Sequence, residues 1–271
     1  MDYCFNYEFL LEKGVRVAIL YLAIGDYTDF WTDFYSSCEK NFLPDCEKNY
    51  FVFTDRPSTI SGTNVHVSSV DDLGWPLNTM FRFKYFLRHR DTLRSHDAVF
   101  FFNANALFCE TISMKDVLPP GYTLTGVVHP GYQKYRKIFL PYERKHRNST
   151  AYVGRFEGDC YFQGCLNGGF SNEYMDLVEC CNRNINQDLR ANIIARAHDE
   201  SHLNRYLIEK KVNMLPSCYS LPEGWIGDPI ISMRDKAKYP WYSGVKNASA
   251  GSGKALGLVK SFVKKIVVES R

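Results

Sequence analysis

The chain reads as an α/β protein, a single domain built on a mixed, mostly parallel sheet flanked by helices and followed by a basic amphipathic tail. Three observations predict this. Short apolar runs rich in β-branched and aromatic residues alternate with segments of helical period through the first half of the chain. One of those runs, AVFFF at residues 98–102, is apolar without a break, as in a strand covered on both faces. The 271 residues, 45% hydrophobic and 23% charged, suffice for one large core.

Residues 15–23, VRVAILYLA, follow Gly14 as the first strand, which Gly25 and Asp26 break. Phe30, Trp31, Phe34 and Tyr35 then recur at helical spacing, which predicts a helix over 28–42 capped by Asp26 or Thr28. Residues 50–54, YFVFT, make a second strand ending at the turn Asp55-Arg56-Pro57, and 65–68 a weaker third. After Gly74 a long helical pattern carries Met80, Phe83, Tyr85, Phe86 and Leu93, interleaved with Arg82, Lys84, Arg88 and Arg90. The strand at 98–102 completes a nucleotide-binding half over about 15–110. No G-x-G-x-x-G follows the first strand and no G-x-x-x-x-G-K-[ST] occurs, which speaks against dinucleotide and P-loop sites.

The second half, 111–246, is organised differently. A strand at 124–128 enters His129-Pro130-Gly131, and a loop dense in charge and aromatics runs from Tyr132 to Tyr152, longer than a usual connection. The segment GDCYFQGCLNGGF at 158–170 supplies glycines that either let backbone approach a ligand or mark tight strand packing. A helix over 172–186 follows, and Asp199 and Glu200 sit at the start of another. Arg234, Lys236 and Lys238 form a basic cluster. SAGSG at 249–253 has linker composition, so the domain is expected over 1–246 and the tail over 247–271. Leu256, Val259, Phe262, Val263 and Ile266 lie opposite Lys254, Lys260 and Lys264, which reads either as an interfacial membrane contact or as a helix packed on the body.

Composition removes several classes. A formal charge of +3 gives no argument for nucleic acid. Nine cysteines with no repeated C-x-x-C fit reduced thiols rather than a zinc ribbon or disulfide framework. The N-terminus has no basic region followed by an apolar stretch, and no run approaches the ~20 residues of a membrane span. The expected location is therefore cytoplasmic, with peripheral contact at the inner face of the membrane on the first reading of the tail.

The functional signal starts where the 98–102 strand meets Asn103-Ala104-Asn105. Extended side chains alternate, so both amides would leave the strand's carboxyl end on one side, where α/β sheets hold ligands. Nucleotide-sugar transferases often place paired carboxylates here to bind a divalent metal against the diphosphate. Neutral amides are far weaker ligands, so the inference is a sugar-nucleotide site without a metal; the plain alternative is a strand ending in a polar turn.

FFFNAN, HPG, YER, GDCYFQGCLNGG and HDESHLNRY together resemble glycosyltransferase family 6, the retaining α-1,3-galactosyl- and N-acetylgalactosaminyltransferases that include the blood-group A and B enzymes. The similarity runs from about Arg16 to Lys238, and Asn-x-Asn is similar to the bacterial, metal-independent branch. The resemblance implies a GT-A-type fold, a UDP-sugar donor, a galactoside acceptor, which an α-1,2-fucosylated one would also satisfy, and no cofactor. It implies that Ala23, Ile24 and Tyr27 surround the uracil, Arg82 contacts the donor, and Asn103 and Asn105 replace the metal-binding pair. It further implies that His129, with Gly131 beside it, meets the acceptor, that Gln163, Gly164 and Cys165 sort donor sugars, and that Asp199 and Glu200 stand at the reaction centre. Arg234, Lys236 and Lys238 would close over the diphosphate. The chain departs from blood-group enzymes at Ala197, where they carry Trp beside the acceptor, at Pro141, where a Thr stands, and at Cys165, bulkier than the Gly that goes with N-acetylgalactosamine.

Retention needs a group on the sugar face opposite the leaving UDP, and a carboxylate there can attack the anomeric carbon or stabilise oxocarbenium charge. Glu200 is the candidate, with Asp199 orienting donor hydroxyls or simply capping its helix. Without a metal, Arg82, Arg234, Lys236 and Lys238 are the cations available to the departing diphosphate. Cys165 takes volume an N-acetyl group would need, which favours UDP-galactose. Two other readings remain at this point: a non-catalytic UDP-sugar or glycan-binding protein, and a retaining glycosidase pairing Asp199 or Glu200 with Glu143.

Overall fold

The computed structural model describes residues 14–242, so the linker and the expected tail helix lie outside it. The β-branched and aromatic runs become β1 (Arg16–Leu22), β2 (Glu47–Thr54), β3 (Val65–Ser69) and β4 (Ala98–Asn103), all mutually parallel. The second half adds β6 (Leu124–Val128), β7 (Phe162–Phe170) and β8 (Val212–Leu215), giving one sheet in the order β3-β2-β1-β4-β7-β6-β8. Only β7 runs against its neighbours β4 and β6. The chain leaves β1 on one side for β2 and returns on the other as β4. The crevice beyond their carboxyl ends, where Leu22 pairs with Asn103, is therefore a topological switch point.

Period-2 alternation sends β4 side chains into two cores. Phe100 and Phe102 pack with Tyr21, Phe34 and Phe42 on one face; Val99 and Phe101 pack with Phe83, Phe86 and Tyr174 on the other. The first core is covered by α1 (Trp31–Asn41), the second by α6 (Ser171–Arg190) and α7 (His198–Leu207) with shorter helices. A small sheet of β5 (Ala106–Phe108), β10 (Ile231–Met233) and β9 (Leu221–Pro222) carries the chain back toward the end of β4. No helix among the described residues is long and apolar enough to cross a membrane.

Three local expectations are corrected. Neither Asp26 nor Thr28 caps α1, because a 3-10 turn over Gly25–Phe30 precedes it; Asp26 pairs with Arg56 at 2.6 Å and Thr28 Oγ1 donates to the Gly25 carbonyl. The long helix after Gly74 is broken into α2 (Leu77–Met80), α3 (Arg82–Phe86), a 3-10 turn and α4 (Arg90–Arg94). At Phe81 and His89 the backbone ψ opens to 4° and 23°, which re-aims each piece so that Met80, Phe83, Phe86 and Leu93 all stay buried. The helix expected to end near residue 186 continues to Arg190, bringing Asp188 and Leu189 inside.

At Gly168 and Gly169 the tight-packing reading holds. A β-carbon on Gly168 would stand 2.2 Å from the Phe100 ring, and one on Gly169 would stand 2.5 Å from the Thr123 carbonyl oxygen. Both strands flanking β7 are fixed by ladder hydrogen bonds, so relief must come from displaced backbone or rings. Gly168→Ala is expected to destabilise the fold by at least about 2 kcal/mol, read as a lower denaturant midpoint with unchanged slope.

Candidate active site

Because β7 is reversed, its first residues rather than its last lie beside the carboxyl ends of its neighbours. Its ladder with β6 also slips: Gly126 faces Asn167, whereas Val127 faces Gln163. Gly164, Cys165 and Leu166 are thus bulged out of the β6 ladder, a device that re-aims residues at sites. The first turn of α7 meets this bulge. Gly164 N–H donates to Glu200 Oε2 at 2.6 Å, and Arg82 Nη1 donates to the Gly164 carbonyl at 2.8 Å. A β-carbon on Gly164 would come within 3.2 Å of both Arg82 Nη2 and Glu200 Oε2, so this position is held for close approach.

Asp199 does not cap α7; Ala197 occupies that place, with its N–H on Ser201 Oγ at 3.0 Å. Asp199 instead forms an ion pair with Arg82 at 2.8 Å, the two side chains only 9% and 4% exposed. The Arg82 guanidinium also lies 4.6 Å from the Phe101 ring centroid. Burial pushes Glu200 up from the ordinary value of 4.5, and the Gly164 N–H, the Tyr161 hydroxyl and Arg82 only partly oppose it. Tyr161 was not anticipated. Its hydroxyl is buried without a hydrogen-bond partner of ordinary geometry among the described residues, close enough to Glu200 for burial and that carboxylate to raise it. Its signal was in GDCYFQGC, two residues before Gln163.

Ala23 and Ile24 follow β1, with Ala23 N–H on the Phe53 carbonyl at 3.0 Å, and the Tyr27 ring stands 5.1 Å from Trp241. Burial pushes the Tyr27 hydroxyl up to about 12. The two amides are not carried out side by side. The extended chain ends at Asn103; Asn105 lies in the following turn, is buried, and donates Nδ2 to the Arg234 carbonyl at 2.8 Å. Among the described residues no three His, Cys, Asp or Glu side chains converge.

The basic cluster divides. Arg234 is an internal clasp, paired with Asp33 at 2.6 Å and hydrogen-bonded to the Phe30 carbonyl. Lys238 points away to Glu223 at 2.6 Å. Lys236 alone of the four expected cations has no carboxylate partner among the described residues. Its ammonium is 5.1 Å from the Tyr27 ring centroid, and burial holds its pKa below the usual lysine range. Cys165 is 1% exposed, and burial raises its thiol to about 12, with Ser220 and Glu200 nearby. Gln163 Oε1 is buried and unpartnered among the described residues. His129 is held neutral by burial, its Nδ1 accepting from Gly131 N–H at 3.0 Å, which leaves Nε2–H as a donor.

Glu143 is excluded from sugar chemistry. It is wholly buried and accepts backbone N–H groups from Lys145, His146 and Arg196, the last at 2.6 Å. Burial pushes its pKa up, but the N–H groups of His146 and Arg196 outweigh it and hold the carboxyl below the usual range. Its work is to tie the long loop to the segment before α7, so the glycosidase reading loses its second acid.

Comparison with known proteins adds an independent finding. The profile of glycosyltransferase family 6 matches residues 5–230. The O-antigen biosynthesis glycosyltransferase WbnI of Escherichia coli is 41% identical over 234 residues, covering 85% of this chain and 99% of that protein. The histo-blood group ABO system transferase 1 of Rattus norvegicus is 30% identical, covering 84% and 68%. The globoside alpha-1,3-N-acetylgalactosaminyltransferase 1 of Homo sapiens is 31% identical, covering 73% and 58%.

The two acids should respond oppositely to neutralisation. Asp199→Asn strands a buried guanidinium and is expected to cost about 3 kcal/mol. Glu200 has a folded pKa above its unfolded one, so folding favours its protonated form, and that stability is lost as pH rises through the folded value. Glu200→Gln should therefore be more stable than the parent at neutral pH, with the gap closing as pH falls. Thermal unfolding across pH checks both.

Proposed function

The chain belongs to glycosyltransferase family 6, a family of the GT-A type, and from that premise we propose that it is a retaining hexosyltransferase. It moves galactose or N-acetylgalactosamine from a UDP-sugar to a galactoside in an α-1,3 linkage without a metal ion. The observation that carries this reading is the desolvated Glu200 carboxylate, fixed beside the Gly164 bulge at the carboxyl edge of the sheet. A carboxylate removed from water is a strong electrostatic partner for positive charge at an anomeric carbon. A protein that only bound the donor would gain nothing from sustaining that burial.

In the proposed complex the uridine enters the switch point, against Ala23, Ile24 and Tyr27. Asn103 and Lys236 meet the diphosphate. The burial that lowers the Lys236 pKa is relieved when a dianion arrives, and that cation offsets charge on the departing UDP. The donor chemistry of the pocket favours metal independence, since a hard divalent ion prefers carboxylates and Asn103 and Asn105 offer only neutral amide oxygens. Gln163 offers its free carbonyl oxygen to a sugar hydroxyl. Asp199 acts through Arg82, as a positioning residue rather than a direct sugar contact. His129 donates Nε2–H to the acceptor. The donor C1–O bond to UDP breaks, the acceptor oxygen bonds to C1, and its proton passes to the departing phosphate oxygen. Glu200 either bonds C1 transiently or stabilises the oxocarbenium ion; both routes keep the α configuration.

Incubation with UDP-galactose or UDP-N-acetylgalactosamine and plain or fucosylated galactosides tests this directly. Transfer should persist in excess EDTA, give the α-anomeric product, and fall by at least about 100-fold in kcat for Glu200→Gln. Dependence on manganese, a β product or UDP binding without turnover would each defeat the proposal. The acid limb of the parent's kcat/KM profile should lie above 4.5, since activity needs ionised Glu200 and its pKa is raised. Cys165→Gly opens space beneath Lys236 and should shift preference about tenfold toward the N-acetylated donor, measured by competition between the two.

A further inference from the structure

The loop between β6 and β7 exposes a surface that the transferase reaction does not use. Tyr135, Phe139 and Phe156 are 54%, 62% and 74% exposed, far more than isolated aromatics need to be. Lys134, Arg136 and Arg155 stand exposed among them, and Arg155 lies over the Phe156 ring at 5.9 Å from its centroid. The patch is held together. Lys137 reaches Asp159 at 3.0 Å, joining the turn that carries Tyr135 and Phe139 to the segment after Phe156. Arg144 Nη2 donates to the Lys137 carbonyl at 3.0 Å, and a small buried core of Leu140, Tyr142, Val153 and Tyr161 lies underneath.

This surface is continuous with the acceptor side of the site. From Tyr161, beside Glu200, ring contacts run outward through Tyr132 at 5.6 Å and on to Tyr135 at 5.4 Å. His129 lies 4.5 Å from the same Tyr132 ring. Tyrosine and phenylalanine standing out of a basic surface suit the boundary between headgroups and acyl chains, where rings insert and cations meet anionic lipid. A protein partner would more often meet a patch whose charged groups are confined to a rim.

We propose that the exposed aromatic and basic face of the loop between β6 and β7 binds the surface of an anionic phospholipid bilayer, placing the acceptor side of the site at the membrane. The placement suits an acceptor glycan that is itself attached to lipid. This surface is distinct from the C-terminal tail, whose residues 254–266 share the basic amphipathic composition.

Flotation of the full chain with vesicles of phosphatidylcholine alone, or with phosphatidylglycerol added, tests the proposal. Binding should require phosphatidylglycerol and weaken with salt. Lys134→Glu and Arg136→Glu should each weaken it about fivefold or more, and a Phe139→Ser, Phe156→Ser variant should abolish it. Unfolding temperature, and transfer to a free soluble acceptor, should match the parent in all of them, because these changes leave Tyr135, the residue of the patch that packs on Tyr132, in place. The same loop changes are repeated with Lys260→Glu and Lys264→Glu present, which removes the tail's charge. Equal vesicle binding with and without the loop changes, or binding lost only through the tail changes, overturns the proposal. So does a chain that ignores both vesicles and pairs through this face with a second copy, read by light scattering.

Discussion

One buried ion pair holds the geometry of the candidate site. Arg82, at the head of α3, meets Asp199 in the first turn of α7 and the carbonyl of Gly164 in the β7 bulge. Three elements distant in sequence are thereby set at fixed separations, and Glu200 is aimed by the residue next to it. A buried pair of this kind does not add much net stability over an apolar substitute. Its value is specificity: each charge is tolerable in the interior only with the other in place. The pair also explains why Asp199 neither caps its helix nor faces outward.

Glu200 shows the opposite economy. Its carboxylate is desolvated beside another acid, and the Gly164 N–H and the Tyr161 hydroxyl only partly compensate. Folding would be easier with a neutral side chain there. Such a conflict between local stability and a retained charge is what marks Glu200 as the candidate functional group. Glu143 is the instructive contrast, wholly buried but satisfied by three backbone N–H groups, and so a structural anchor.

Much of the fold was legible because it rests on periodicity. The AVFFF run marked a strand covered on both faces, and the alternation of strand and helix over the first half gave the parallel order. The break of the long helix after Gly74 was not legible, because its apolar stripe survives the kinks at Phe81 and His89. At the candidate site, the structure brings Glu200 of HDESHLNRY against Gly164 of the Gln163–Cys165 segment, two motifs the sequence singles out separately. The cation assignment failed in part for a definite reason: Arg234 finds Asp33, 201 residues away, through tertiary packing that no local spacing announces. The amide pair also read too simply, since extended alternation stops at Asn103 and the turn gives Asn105 to the Arg234 backbone.

The reversed direction of β7 has a consequence for how recognition can diverge. Because the chain passes through His129, the long loop and the Gln163–Cys165 segment before joining the ladder, the residues proposed to meet the acceptor through His129 and the donor sugar through Gln163 share one uninterrupted stretch of backbone. From Leu166 onward that stretch is spliced to β4 by regular pairing. Residues 129–165 are thus anchored to the rest of the molecule at a few named points, Glu143 on the Arg196 N–H and Gly164 on Arg82 and Glu200, so that the loop between those anchors can change in sequence while the sheet is left as it was.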